Sequence, residues 1–376
     1  SLGQVYLIKS DADGNQQWSK NFPAGTFAEG KAVVATRDSG YAIAGNIEGL
    51  GAGGRDIYLF KTDAYGNVLW SKTFGGGQND EAKGIVELPD GSLVVVGFTT
   101  NHLIQVTGEW TEDVFLIKTN AAGGVIWEKT VGLPTFKEQG NGITRAANGD
   151  LVVAGSFREQ TASPGDVDFY AVRLDDQGNV IWDNTYGFSG FDDNAKAIAP
   201  SEDGNFVLAG GTNAVQGGAG VLMKIDGSGN PFFMWQTTFP LAYFNSIAAD
   251  THEGFFVAGR KDITGGSQGD LYIARVNKDG EKLCDAVVGK AGADESYGVV
   301  ATSDGGAGAV GYSYPFLNGS ESNAYMVKAD LNCVVFTSYI RGNIFRDLNA
   351  NCAKDGGEEG LQDWIVSIES PNFSRF

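Results

Sequence analysis

The chain has 376 residues, and 27 Lys and Arg against 46 Asp and Glu give a net charge of −19. That balance argues against nucleic acid and anionic membrane surfaces as partners and favours solubility and divalent cations. Gly supplies 55 residues, about twice the usual share, and no apolar run approaches membrane-spanning length, so direct membrane insertion is not expected.

The glycines fall beside Asp, Asn and Ser between short apolar runs, as turn residues of an all-β protein do. No basic segment followed by an apolar one opens the sequence at Ser1, so a signal peptide is either already removed or outside this numbering. From Val5 to Phe22 runs the first copy of a unit seen most clearly at Asp56–Phe74. Alternating apolar residues lead to Lys61, a polar loop ends in Gly66-Asn67, and alternation resumes through Trp70. This pattern predicts a β-hairpin whose loop needs a residue tolerant of positive φ. Lys9, Lys61, Lys118, Arg173, Lys224, Arg275 and Lys328 mark seven copies, 51 to 57 residues apart. Trp18, Trp70, Trp127 and Trp182 follow nine residues after their markers; Trp235 follows after an insertion, Cys284 replaces the Trp in the next copy, and the shortened last copy offers Phe336.

Between these hairpins lies a second unit, clearest at Gly84–Gly97, turning on Asp90-Gly91 or a relative of it: Asp38-Ser39-Gly40, Asn148-Gly149, Asp203-Gly204, Glu253-Gly254 and Asp304-Gly305. Two hairpins per period make a four-stranded module that cannot bury both faces alone, which a β-propeller solves by packing blades around an axis. Labelling strands a to d outward, the small-residue hairpin supplies a and b, and the Tyr/Trp-rich hairpin supplies c and d. Seven outer hairpins stand against six inner ones. The ring is therefore seven-bladed with an incomplete first blade, or six-bladed with an extra hairpin. The propeller is expected over residues 1–340. At about Arg341 the pattern changes, and residues 341–376 read as the truncated start of a second, β-sandwich domain.

The alternating hairpins, with Asp-Glu before an inner strand and Tyr-Leu-x-Lys-x-Asp leading to Gly-Asn-x-x-Trp, resemble repeat propellers of secreted Bacteroidota surface proteins, which implies a display or interaction module. Gly342, Phe345, Asp347, Asn349, Asn351, Asp355, Gly357, Glu358, Gly360, Leu361 and Trp364 resemble the opening of an SdrD B-like domain, related to Cna-B modules. That resemblance implies a stalk, export by the type IX secretion route and a place on the outer-membrane exterior. A weaker similarity runs to quinoprotein propellers through Asp63, Gly66 and Trp70, with an Asp-to-Gly spacing one residue shorter and no adjacent cysteine pair.

The most specific chemical pattern is Asp347-x-Asn349-x-Asn351-Cys352-Ala353-x-Asp355-x-x-Glu358. Oxygen donors at positions 1, 3, 5, 9 and 12, with the Ala353 carbonyl at 7, have the spacing that wraps Ca²⁺, although Cys352 stands where Gly is usual. An Asn/Asp-rich linker is the alternative. Acidic residues precede inner strands at Glu29, Asp80, Glu81, Glu138, Asp192, Asp193, Asp294 and Glu295, and are missing near Tyr243. They predict a ring at one channel mouth that holds a cation or a basic ligand, caps strand N–H groups, or pairs with the strand-c Lys/Arg. The in-register tryptophans predict packing between blades. Trp110 stands off register beside His102 and Glu109 in the long 98–113 connection, so these three are the candidate ligand contacts. His102 and His252 make neither a triad nor a metal pair. Asp11-x-Asp13-Gly14-Asn15 predicts a hydrogen-bonded turn. A Cys333–Cys352 bridge is feasible, and free thiols are equally compatible with the sequence.

These features predict a non-catalytic extracellular surface protein acting in binding, adhesion or display on a calcium-stabilised stalk. Its partner is a surface protein or glycan, or a component of the secretion system. The competing class is a secreted propeller enzyme acting on polysaccharide, or a quinoprotein-like dehydrogenase. Enzymatic function requires polar groups that break the repeat, and the breaks are the 98–113 connection and the blade around Tyr243.

Overall fold

A computed structural model describes residues 4–11, 14–103, 110–159, 166–262, 269–289, 292–313 and 323–335, apart from the side chains of 101–103, 233–236 and 323. The described residues belong to one unit, Ser1–Val335. The loop expected to bind calcium from Asp347 to Glu358, Cys352 and the segment that resembles an SdrD B-like domain lie outside the described residues.

Every described element is a strand. After β1 (Val5–Ser10) and β2 (Gln16–Phe22) come β3 (Phe27–Ala35), β4 (Tyr41–Glu48), β5 (Arg55–Thr62) and β6 (Val68–Phe74), which form blade 1. Blade 2 holds β7 (Asp80–Glu87), β8 (Leu93–Leu103), β9 (Trp110–Thr119) and β10 (Val125–Val131), and blade 3 holds β11 (Phe136–Arg145), β12 (Leu151–Glu159), β13 (Val167–Leu174) and β14 (Val180–Tyr186). One parallel bridge, Lys137 to Glu112, links blades 2 and 3 into a single ladder. Blade 4 is β15 (Asp193–Pro200), β16 (Phe206–Thr212), β17 (Ala219–Ile225) and β18 (Pro231–Pro240). Blade 5 is β19 (Ala242–Ala249), β20 (Phe255–Lys261), β21 (Asp270–Val276) and β22 (Lys282–Val288). Blade 6 shows β23 (Asp294–Ala301), β24 (Ala307–Ser313) and β25 (Asn323–Ala329), and an Ala329–Val335 bridge opens its next ladder.

Within each blade neighbouring strands run antiparallel in chain order, and a register shift interrupts each a–b ladder at one position, such as Ala82/Gly84. The core is laid seam by seam. One apolar cluster joins Ala44, Leu59 and Phe74 of blade 1 to Leu93, Val95 and Ile117 of blade 2, and others repeat this between later blades. Strands b and c are buried along nearly their whole length because both faces touch a neighbour, whereas the outermost strand d is largely exposed. Burial of this kind is worth roughly 25 cal/mol per Å².

The c–d turn explains the Asp-x-x-Gly-Asn signature. Asp63 Oδ1 accepts from the N–H groups of Tyr65 and Asn67, both at 2.8 Å, and Gly66 takes φ 75°. Asp11 accepts from Asn15 N at 2.8 Å in the same way, so this stretch is a turn. The in-register tryptophans pack at blade seams as expected. The indoles of Trp70, Trp127 and Trp182 donate to the carbonyls of Ala121, Asp176 and Gly227 in the next blade's c–d turn, at 3.1, 3.1 and 3.0 Å.

Cys333 is neither a free thiol nor bridged to Cys352, the two alternatives the sequence left open: it forms a disulfide with Cys284, with Cα atoms 5.7 Å apart. The reason is register: Cys284 stands opposite Arg275, where Trp70 stands opposite Lys61, and so meets the next blade's turn.

The strand-c cations do not pair with the acids that precede strand a. Lys61, Arg173, Lys224, Arg275 and Lys328 reach Asp38, Asp150, Asp203, Asp250 and Asp304 of the a–b turns, at 2.6 to 2.9 Å. Lys118 pairs with Asp176. These cations sit at the end of strand c next to the a–b turn, at the opposite edge of the blade from the start of strand a.

Candidate functional site

The acids preceding strand a form two sets, not one ring. Asp80, Asp193 and Asp294 open their a–b ladders, Glu138 is the third residue paired in its own, and all four are buried. They cap the connection before strand a: Asp80 accepts from Gly76 N at 2.7 Å, Asp193 from Phe188 N at 2.6 Å, and Glu138 from Leu133 N at 3.3 Å. Burial and the neighbouring Asp113 push Glu138 up to about 8.

The next ladder position carries Glu29, Glu81, Gln139, Asn194, Tyr243 and Glu295 in the six a strands. Two residues on, and therefore on the same side of the strand, come Lys31, Lys83, Asn141, Lys196, Asn245 and Tyr297. Around blades 1 and 2 these positions form a closed ion-pair network. Lys31 meets Glu29 at 3.0 Å, Lys83 meets Glu81 at 3.1 Å, and Arg55 contacts Glu48, Glu81 and Glu29 at 3.0 to 3.4 Å.

In blades 5 and 6 one of the two positions turns aromatic, and with blade 4 they border a cleft of ≈ 520 Å³ between Lys196, Tyr243, Arg260, Glu295 and Tyr297. Tyr297 is 57% exposed, a large aromatic surface left to solvent inside a recess. Its ring lies 5.5 Å from that of Tyr312, whose hydroxyl donates to Glu295 at 3.1 Å. Burial and the Glu295 carboxylate raise the Tyr312 phenol above its usual range, so it stays a donor. Asn245 donates to the other Glu295 oxygen at 2.7 Å, which fixes that carboxylate. Tyr243 lies under Arg260, whose guanidinium carbon is 5.0 Å from the ring centre. The ring fits because its neighbour is Gly211, where a Cβ would come within 2.7 Å of Tyr243. Arg260 Nε and Asp192 Oδ1 are buried with no hydrogen-bond partner, so the cleft wall holds an unused donor and an unused acceptor. Lys196 is exposed at the cleft, yet the surrounding protein strips part of its hydration. Desolvation, with Lys83 adding, lowers its pKa against the pull of Glu295.

A second recess of ≈ 370 Å³ lies below the a–b turns of blades 4 and 5, but its charges are engaged in repeat ion pairs such as Lys224–Asp203 and Lys278–Glu253.

Of the three candidate contacts in the 98–113 connection, Glu109 lies outside the described residues, and His102 falls on β8 with its side chain undescribed. Trp110 starts β9, paired with Leu103, and is 37% exposed. The connection is shorter than the sequence suggests, because β8 continues to Leu103 and β9 begins at Trp110. Sequence reading located the break at Tyr243 but did not single out Lys196, Arg260 or Tyr297. Comparing the channel-facing positions of successive a strands would have found Tyr297, which stands where Lys31 and Lys83 stand.

No protein-family model and no curated protein sequence matches the chain. Solved structures do. Similarity extends to a protein of unknown function from Dyadobacter fermentans, with a TM-score of 0.54 at 12% identity, covering 80% of this chain and 94% of that one. Virginiamycin B lyase from Staphylococcus aureus gives 0.51 at 13%, covering 82% and 83%. The α-L-arabinofuranosidase Arb93A from Fusarium graminearum gives 0.50 at 8%, covering 80% and 92%. At such identities the likeness speaks to fold, and with the repeated four-stranded sheets it identifies an all-β, propeller-like architecture.

Proposed function

We propose that the chain is a secreted propeller that engages polysaccharide at the Tyr243–Tyr297 cleft. One observation carries this reading: where other blades set charged or amide side chains toward the channel, blades 5 and 6 set tyrosines, one bare and one backed by Arg260. A flat aromatic face beside fixed amide, carboxylate and cationic groups suits a sugar, which offers an apolar face and a rim of hydroxyls. Engagement then serves either display at the cell surface or cleavage. Cleavage is the reading towards which the fold leans, since propeller-like neighbours include a lyase and a glycosidase.

The Cys284–Cys333 disulfide supports an oxidising, extracellular location. Seven blades with an incomplete first one remains the preferred count. Val310 and Met326 of blade 6 are 49% and 44% exposed, whereas their equivalents Ala258 and Ile273 in blade 5 are at 0%. Such bare positions fit a missing inner hairpin beside β1. Residues 341–376 are read as the start of a calcium-stabilised SdrD B-like stalk.

The test is retention of the full chain on a panel of neutral and acidic polysaccharides, with Tyr297→Ala as comparison and product analysis of each incubation. Retention lost in the variant supports the cleft, and released oligosaccharides select cleavage. A folded chain that retains no polysaccharide, or a variant that binds like the parent, overturns the proposal.

A further inference from the structure

The buried acids at the start of strand a have partners of like charge across the seam. Five residues before the strand-c cation stand Asp56, Asp113, Asp168 and Asp270, and these face Asp80, Glu138, Asp193 and Asp294 of the following blades. Between the members of each pair, directly after strand d, comes a glycine: Gly75, Gly132, Gly187 or Gly289. The remaining two seams vary together at all three positions. Ala219, Leu241 and Ala242 occupy one, and Gln4, Pro23 and Ala28 the other. Acid, glycine and acid therefore occur together or not at all.

Geometry gives the reason for the glycine. A Cβ on Gly75 would lie 2.5 Å from Asp56 Oδ1 and 2.5 Å from Asp80 Oδ2, filling the gap between the two carboxylates. On Gly187 it would collide with Asp168 Oδ1 and lie 3.1 Å from Asp193 Oδ2. Asp56 and Asp80 are each 1% exposed, and Oδ1 of each has no hydrogen-bond partner, as is true of Glu138 Oε2. The neighbouring Arg55 brings no relief to the pair, since its ion pairs go to Glu29, Glu48 and Glu81. The gap kept open by Gly75 is faced by the unpartnered Asp56 Oδ1 and by Asp80 Oδ2, which accepts from Gly76 N, and two buried carboxylates so placed are costly unless a positive charge lies between them.

We propose that each acid–glycine–acid seam seats a hard divalent cation of the Ca²⁺ type, clamping one blade to the next. Among the described residues no three acidic, histidine or cysteine side chains gather at one point. The rest of the oxygen shell therefore comes from backbone carbonyls of the glycine-rich connections, the kind of hard, flexible donor Ca²⁺ accepts. The seam between blades 4 and 5 needs no ion, because Ala242 lies there in an apolar cluster with Phe239 and Phe244, and Ala219 is buried as well.

The full chain tests this, with Asp347→Ala and Glu358→Ala introduced together to remove the C-terminal loop from the count. Metal content after equilibrium dialysis against Ca²⁺ is expected to reach four ions per chain, and chelator is expected to lower the melting temperature. Asp56→Ala with Asp80→Ala, which copies the alanine seam, is expected to remove one ion and blunt the chelator effect. Gly75→Leu, which fills the gap and leaves both carboxylates, is expected to remove the same ion. Absence of Ca²⁺ uptake by the loop-free parent overturns the proposal and leaves a shared proton as the seam's charge balance. Uptake that neither seam variant reduces overturns it as well. Metal content is read on the folded parent, so the proposal stays falsifiable if a variant fails to fold.

Discussion

Cys284 and Cys333 occupy the two positions that elsewhere hold a tryptophan and a glycine. At four other seams Trp18, Trp70, Trp127 or Trp182 of strand d lies against the positive-φ glycine of the next blade's c–d turn; Cys333 keeps that backbone conformation at φ 59°. The disulfide is thus a covalent version of a latch the protein otherwise makes by packing. It closes a loop with a sequence separation of 49, worth about 4 kcal/mol on chain-entropy grounds. Cys284→Ser with Cys333→Ser is expected to lower the melting temperature by several degrees. Cys284→Trp with Cys333→Gly is expected to recover part of that loss and to melt identically with and without reductant. A scan of both variants in each condition checks the pair.

The noncovalent latch makes its own prediction at Trp70 and Gly123. A Cβ on Gly123, which has φ 79°, would stand 2.8 Å from the indole. Gly123→Ala must bear a left-handed conformation, at roughly 1–2 kcal/mol, and also displace the ring. Trp70→Phe keeps most of the packing but drops the hydrogen bond to the Ala121 carbonyl, at about 1 kcal/mol. Denaturant unfolding is expected to rank Gly123→Ala as the more damaging.

Repetition made the frame legible in the sequence. The Asp63-x-x-Gly66-Asn67 turn and the Trp70 register are local and recur, so pattern and turn chemistry specify them together. What recurred without a local explanation was misassigned. The acids near strand a looked like one ring because Asp80 and Glu81 are adjacent, yet one enters the seam and the other faces the channel. Their consecutive pairing, Asp80 with Thr99 and Glu81 with Phe98, puts them on opposite faces of one strand. The cleft was half visible: Tyr243 broke the pattern, but Arg260 and Tyr297 join it from neighbouring strands, far apart in the chain.

Arg275 and Asp250 form a buried ion pair at 2.6 Å. Burial works against ionisation of Asp250, but Arg275 and the N–H groups of His252 and Gly254 outweigh it and hold the carboxyl below its usual range. A depressed carboxylate stabilises the fold above its unfolded pKa, near 3.9, and that contribution fades as pH falls through the lower folded value. Asp250→Asn is expected to cost roughly 3–5 kcal/mol at neutral pH, because it leaves Arg275 buried without its counter-ion. The difference between parent and variant should shrink below about pH 4, by the linkage just given. Urea unfolding at neutral and acid pH measures both.

The cleft and the 98–113 connection are rival seats for the ligand, and mutation separates them. Tyr297 presents its ring to solvent and Arg260 keeps a buried donor unused, so Tyr297→Ala and Arg260→Ala are each expected to weaken polysaccharide binding about tenfold, or 1.4 kcal/mol. Trp110→Ala, at the start of β9, is expected to leave affinity unchanged. Arg260→Ala should also flatten any salt dependence toward an acidic polysaccharide, since a screened cation is what produces it. Tyr297→Ala should not, because stacking carries no net charge. Titrations at two ionic strengths resolve the two contributions. Loss of binding in Trp110→Ala alone would move the site to the connection and remove the cleft from the account.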